Sequence, residues 1–68
     1  MNEDNLNMNI RRFLKKVGIN SQRVIEKEIY NAEKNNIIKK GDIINLEMTL
    51  RIKNFDTKYL IEDTINIE

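Results

Sequence analysis

Hydrophobic and polar residues follow two different periods along this chain of 68 residues. In the first half, apolar residues recur every three or four positions, which is the period of a helix with one apolar face. In the last third, they recur at every second position, which is the period of a strand with one apolar face. The pattern therefore predicts an α+β chain in which helices precede strands.

The first helix is predicted over residues 4–17, where the apolar residues fall within an arc of about 100°. Asn2 or Asp4 can cap its start. Gly18 occupies the position at which many helices end on a left-handed residue, so we expect the helix to stop there. The apolar residues of this helix are Leu6, Ile10, Phe13, Leu14 and Val17.

A second helix is predicted over residues 21–35, capped by Asn20 or Ser21. Its apolar face is narrower than that of the first helix, and Glu28 interrupts it at one edge. Only two residues separate the two helices, which predicts an αα-hairpin or a crossed pair. The apolar residues of the second helix are Val24, Ile25, Ile29 and Ala32.

The last third of the chain predicts two strands, over residues 44–53 and 59–67. The first strand alternates without a fault, which is typical of an antiparallel strand with one solvated face. The second strand carries Asp63 on its apolar side, so it either contains a bulge there or starts late. Residues 54–57 are expected to form the turn between the strands.

These elements predict a single small domain over residues 1–68, of ααββ order, with two N-terminal helices packed on one face of a C-terminal antiparallel β-hairpin. A core of this size contributes little stability, and small domains usually need an additional constraint. Disulfides and zinc sites built from cysteine or histidine are excluded, because the chain contains neither residue. Oligomerisation is the constraint that remains.

The absence of histidine and cysteine also removes most general bases, thiolate nucleophiles and transition-metal ligands. We found no phosphate-binding loop and no ligand-spaced cluster, and we expect no enzymatic activity and no cofactor. Four carboxylates of the predicted hairpin could gather and attract Mg²⁺ or Ca²⁺, but no calcium-binding loop completes such a site. They are Glu47, Glu62, Asp63 and Glu68.

Charge is distributed unevenly along the chain, and long apolar runs are absent. Residues 1–23 carry five basic and two acidic side chains, and residues 42–68 carry three basic and six acidic ones. Apolar runs are at most three residues long, so neither a membrane span nor a signal peptide is expected. We therefore expect a cytoplasmic protein that does not bind membranes.

One segment fits a helix-turn-helix, in which the second helix enters the major groove of DNA. A helix, a glycine, an apolar residue and a second helix follow one another here. In this alternative interpretation, the start of the second helix reads bases, while the basic face of the first helix contacts phosphates. Two features oppose it, because Leu14 is bulky where a small residue is needed and Lys27 replaces an apolar residue. The residues concerned are Arg11, Arg12, Lys15, Lys16, Ser21, Gln22 and Arg23.

Three segments of the first half resemble a family of short bacterial proteins of unknown function. They are the initial MNED, the run from Arg12 to Ile19 (RFLKKVGI), and Ser21-Gln22-Arg23 followed by Ile25-Glu26-Lys27. The resemblance implies a free-standing cytoplasmic bacterial protein of about this length. It implies no catalytic or binding residue, and the pair Asn35-Asn36 departs from the family pattern.

Together these observations predict a non-catalytic module for protein–protein interaction or self-association. The expected self-association is a homodimer in which hairpins pair edge to edge, since each strand of a two-stranded ribbon has an unpaired edge. Nucleic-acid binding is the alternative function.

Overall fold

The computed structural model describes all 68 residues and contains one helix and one hairpin. Helix α1 spans Glu3–Lys34, strand β1 spans Ile43–Ile52, and strand β2 spans Thr57–Asn66. The α+β class with a C-terminal antiparallel hairpin is confirmed, whereas the prediction of two helices is wrong. The chain divides into two compact units, residues 1–37 and residues 38–68, and each is described by itself. A single domain with the helical half packed on the hairpin stays a prediction.

Helix α1 continues through Gly18 because nothing at that position forces it to stop. The backbone of Gly18 is not left-handed, in contrast to that of Gly41. A glycine within a helix costs only about 1 kcal/mol relative to alanine, and no proline follows it to remove a hydrogen bond. Asn20 and Ser21, predicted to cap a second helix, are therefore interior residues of α1.

Asparagine residues cap both ends of α1 as the structure shows them. Asn2 is the N-cap, and its Oδ1 accepts a hydrogen bond of 3.1 Å from the backbone N–H of Asn5. At the other end, Asn36 is left-handed with φ of 59°. The N–H of Asn36 bonds to the carbonyl of Glu33, and the N–H of Ile37 bonds to the carbonyl of Ala32. This is a Schellman motif, so the left-handed ending that we expected at Gly18 occurs at Asn36.

The two strands pair antiparallel in one unbroken register from Ile43 opposite Asn66 to Ile52 opposite Thr57. The observed bounds lie within two residues of the predicted ones. The expected bulge or late start at Asp63 is wrong, because Asp63 pairs directly with Leu46 inside the ladder. The predicted turn is also displaced by one residue, since residues 53–56 connect the strands.

A bulge occurs instead at the start of the hairpin, where Gly41 is left-handed with φ of 96°. The N–H of Asp42 bonds to the carbonyl of Lys39 across a turn that has Gly41 at its third position, as in a type II turn. Gly41 and Asp42 then both face Ile67: the N–H of Gly41 donates to the Ile67 carbonyl, and the N–H of Ile67 donates to the Asp42 carbonyl. This is the pattern of a bulge that requires glycine.

Neither unit contains a core. No residue of the chain is buried, and every large apolar side chain keeps a measurable share of its surface in contact with solvent. A lone helix and a two-stranded ribbon each lack the neighbours that would surround a side chain. The apolar faces of both units are therefore available for contact.

The two glycines should respond in opposite directions to alanine. We expect Gly18→Ala to stabilise α1 by about 1 kcal/mol, because its added Cβ meets nothing within 4 Å and alanine favours the helix. We expect Gly41→Ala to destabilise the hairpin by about 1–2 kcal/mol, because an L residue is strained at its positive φ. Circular dichroism for α1 and NMR chemical shifts for the hairpin measure the two effects. Equal effects of the two substitutions would contradict the assignment of Gly18 to the helix interior.

Candidate interaction surfaces

An apolar stripe runs along the whole of α1, because the helix is continuous. Its members fall within an arc of about 120° when each residue turns the helix by about 100°. Their exposure is high for apolar side chains, for example 41% for Leu6, 54% for Phe13 and 60% for Val24. Two charged residues lie near the middle of this arc: Glu3 at the first position of α1, and Glu28. The α1 stripe consists of Leu6, Ile10, Phe13, Leu14, Val17, Ser21, Val24, Ile25, Glu28 and Ala32.

Residue types recur along α1 at intervals of 11 residues. Asn9, Asn20 and Asn31 are one such set, and Arg12 and Arg23 are another. Eleven residues make about three helical turns, so residues at this spacing lie nearly one above another. The spacing is present in the sequence, but the prediction of two separate helices placed these residues on different elements.

A basic stripe on α1 follows from the same spacing. Five basic residues lie within an arc of about 60°, whose centre is about 130° from the centre of the α1 stripe. The aromatic ring of Tyr30 lies on the same side of the helix and is 66% exposed. A shallow depression beside it is lined by Arg23, Lys27, Tyr30 and Asn31, and also by the acidic Glu26. The basic stripe consists of Arg12, Lys16, Arg23, Lys27 and Lys34.

The helix-turn-helix interpretation depends on a turn near Gly18, and the structure contains no turn there. Ser21, Gln22 and Arg23 lie in the middle of α1 rather than at the start of a second helix, so the predicted geometry of base contact is absent. A role of the seven predicted residues in nucleic-acid binding stays a prediction.

The same seven residues separate into three groups around α1. Three of them, Arg12, Lys16 and Arg23, belong to the basic stripe, and Ser21 belongs to the apolar one. The Nε2 atom of Gln22 donates a hydrogen bond of 2.8 Å to Glu26, and the Arg12 guanidinium donates to Asn9. The remaining three, Arg11, Lys15 and Gln22, share a neighbouring face of the helix.

The hairpin has one apolar face, as its alternation predicts. Even-numbered residues of β1 and odd-numbered residues of β2 are partners on this face. Asp63 lies among them, opposite Leu46, and its Oδ1 accepts a hydrogen bond of 2.7 Å from the N–H of Thr64. A charge on the apolar face of a strand is one way in which proteins limit unwanted edge pairing. The apolar partners on this face are Ile44 with Ile65, Met48 with Ile61, and Leu50 with Tyr59.

The polar face of the hairpin places two like charges together, because Glu47 and Glu62 are direct partners in the register. They line a shallow depression together with Asn45, Leu46, Asp63 and Thr64. Asp63 borders this depression from the opposite face of the ribbon, since successive side chains of a strand alternate. The four carboxylates that we considered for a cation therefore do not converge, and no group of three acidic side chains is placed to hold a metal ion.

Reversing one charge of the Glu47–Glu62 pair should stabilise the hairpin. We expect Glu62→Lys to raise the stability of the hairpin by about 0.5 kcal/mol, because opposite charges on directly paired strand residues attract. Added salt should reduce the gain. Glu68→Lys is the matched control, since it makes the same change of charge outside the strands. An equal gain in both variants, measured by thermal unfolding, would mean that net charge rather than strand pairing is responsible.

The comparisons with other proteins agree with the resemblance in the first half of the chain. No curated protein and no solved structure matches the chain. Helix α1 does not combine the length and the apolar content needed to cross a membrane. The cytoplasmic location and the bacterial origin stay predictions. The model of a family of unknown function, DUF6494, matches residues 1–68, and the chain therefore belongs to that family.

Proposed function

We propose that this protein is a non-catalytic protein–protein interaction module that self-associates. One observation carries the proposal: no side chain is buried, although 40% of the residues are hydrophobic. Burial of apolar surface is the dominant favourable contribution to both folding and association. A chain that leaves its apolar faces exposed gains most of that contribution by contact with another protein.

Composition supports self-association as the form of this contact. The chain has a mass of 8.1 kDa, and chains of this size usually need a disulfide, a metal or a partner subunit for stability. Because the chain contains no cysteine and no histidine, it can form neither a disulfide nor a metal site built from those residues. The same absence supports a non-catalytic role, because those side chains do most acid–base and nucleophilic chemistry near neutral pH.

Pairing of hairpin edges is one route to a dimer. Strand β1 is ten residues long, contains no proline and has an unbroken register with β2. The bond between the N–H of Ile67 and the carbonyl of Asp42 indicates which residues of β1 turn toward β2. Because hydrogen-bonded and non-bonded pairs alternate, the N–H groups of Asn45, Glu47 and Thr49 point to the open edge. These groups are free to bond to a second hairpin.

Molar mass tests self-association directly. We expect sedimentation equilibrium at tens of micromolar to give a mass of at least twice 8.1 kDa, decreasing toward 8.1 kDa on dilution. Because association stabilises the folded state by mass action, the melting temperature should also rise with concentration. A constant mass of 8.1 kDa, together with a melting temperature independent of concentration, would refute the proposal.

Hydrogen exchange of the same sample locates the contact without a substitution. If edges of β1 pair, the amides of Asn45, Glu47 and Thr49 should exchange slowly, and their protection should disappear on dilution. The amides of Ile44 and Leu46, which point toward β2, are the internal reference. Fast exchange at the three outward amides in an associated sample would exclude the β1 edge while leaving self-association intact.

Nucleic-acid binding is a second candidate function, and the basic stripe of α1 favours it. Five basic side chains on one face of a helix can follow a phosphate backbone, and the exposed ring of Tyr30 can stack on a base of a single strand. Glu26, which lines the same depression, opposes such binding by repelling phosphates.

A paired substitution separates the basic stripe from overall charge. We expect Arg23→Gln with Lys27→Gln to weaken binding to a single-stranded oligonucleotide about tenfold and to lower the salt dependence of log K by about one to two. Arg11→Gln with Lys15→Gln removes the same charge from another face and should have a smaller effect. Absence of binding by the unmodified chain at about 50 mM salt, where phosphate contacts are strong, would exclude this function.

A further inference from the structure

We infer that the α1 stripe is the surface of self-association and that it pairs antiparallel with α1 of a second copy. This inference rests on the proposed function and adds the surface, the orientation and the register.

Helix α1 needs a contact along its length to be stable. It is 32 residues long, and five of them are asparagines, which are weak helix formers. Most helical stability in proteins comes from packing of an apolar face, and none of the residues of α1 is buried. Exposure along the stripe is about half for Leu6, Ile10, Phe13, Leu14 and Val24.

The surface available on this stripe is sufficient for a dimer. Covering it with an equal stripe of a second copy would bury on the order of 1,000 Å² in total, which is the lower limit for a specific interface. The stripe occupies one side of the helix and leaves the basic stripe in solvent. A second helix with the same stripe therefore matches it in both length and width.

Glu28 selects the antiparallel orientation. Two parallel helices in register would place both copies of Glu28 side by side in the middle of the contact, where like charges repel and desolvation is costly. Antiparallel helices separate the two carboxylates by more than 20 Å along the axis, at about 1.5 Å per residue. Each Glu28 then lies opposite Ile10, one residue from Arg11, whose guanidinium can reach the carboxylate.

The register follows from the direction in which the stripe faces. In an antiparallel pair, a shift of one residue turns the facing side of each helix by about 50°, since each residue turns the helix by about 100°. In one register the two stripes are centred on each other and the two helices overlap over nearly their whole length. In this register, the residue numbers of any two facing residues add up to 38.

This register also places large side chains against small ones, which lets helices approach closely. Leu6 faces Ala32 and Val17 faces Ser21 at the narrower layers, while Leu14 faces Val24 in an entirely apolar layer. The facing residues are Leu6 with Ala32, Ile10 with Glu28, Phe13 with Ile25, Leu14 with Val24, and Val17 with Ser21.

The natural absence of cysteine makes disulfide trapping a direct test. We propose two separate variants, Leu14→Cys and Val24→Cys, mixed in equal amounts and oxidised in a glutathione buffer. We expect a disulfide between the two variants, because the antiparallel register brings these positions together. Neither variant alone should form a disulfide with itself, since its two copies would be about 15 Å apart along the axis.

The matched control is a mixture of Lys15→Cys with Arg23→Cys. Their numbers also add up to 38, so they lie at the same level of the pair, but both face away from the α1 stripe. We expect about tenfold less disulfide from this mixture, because bridged residues must have Cα atoms within about 7 Å. Circular dichroism of each variant checks that the helix is retained.

The outcomes separate the inference from the proposed function. Disulfides of Leu14→Cys with itself would mean parallel helices and overturn the inferred orientation. The inference would also be overturned if the sample associates but the Leu14–Val24 mixture gives no more disulfide than its control. Self-association would then still hold, and another surface, such as the β1 edge, would be responsible. A chain that remains at 8.1 kDa would overturn both this inference and the proposed function.

Discussion

Each unit is by itself too small to surround an apolar side chain, and the rest of this structure depends on that constraint. One helix exposes a stripe on one side, and a two-stranded ribbon exposes one apolar face and two unpaired edges. No side chain reaches the buried state under these conditions. Hydrogen bonds within α1 and across the hairpin define the local structure, but they add only modest net stability, because unfolded backbone bonds equally well to water. Association is consequently the most effective source of further stability for this chain.

The continuity of α1 arranges every candidate surface of the first half. Had the chain turned at Gly18, Arg12 and Arg23 would belong to different helices with independent directions. Because the helix continues, residues 11 apart lie nearly one above another, and an apolar stripe from Leu6 to Ala32 and a basic stripe from Arg12 to Lys34 lie on the same helix. The two stripes lie far enough apart around the helix for one to be covered while the other stays in solvent. Self-association and binding of a polyanion are therefore compatible on one helix.

Specific backbone conformations end the elements of this chain, and three residues there are left-handed: Asn36, Gly41 and Asp56. Asn36 ends α1 through a Schellman motif, and Gly41 starts the hairpin through a turn and a bulge. Asp42 supports the same turn with its side chain, since its Oδ2 accepts a hydrogen bond of 3.0 Å from the N–H of Lys39. The pair Asn35-Asn36, which departs from the pattern of the family resembled, thus has a structural role. Asn36 and Gly41 lie between the end of α1 and the start of β1, where the helical period of the chain is replaced by the strand period.

The sequence by itself determined the two periods, and with them the α+β class, the apolar face of each strand and the antiparallel hairpin, but not its register. Alternation alone placed β1 and β2 within two residues of their observed bounds, because a slip by one residue would turn every apolar side chain to the wrong face. What the sequence did not determine was whether Gly18 ends a helix, since glycine is compatible with both a left-handed ending and a helix interior, and the difference is only about 1 kcal/mol. Likewise, Asp63 breaks the apolar pattern in the sequence but not the ladder, because the backbone bonds of a strand do not depend on its side chains. Those two choices depend on the balance of hydrogen bonds along the whole element, and only the three-dimensional structure resolved them.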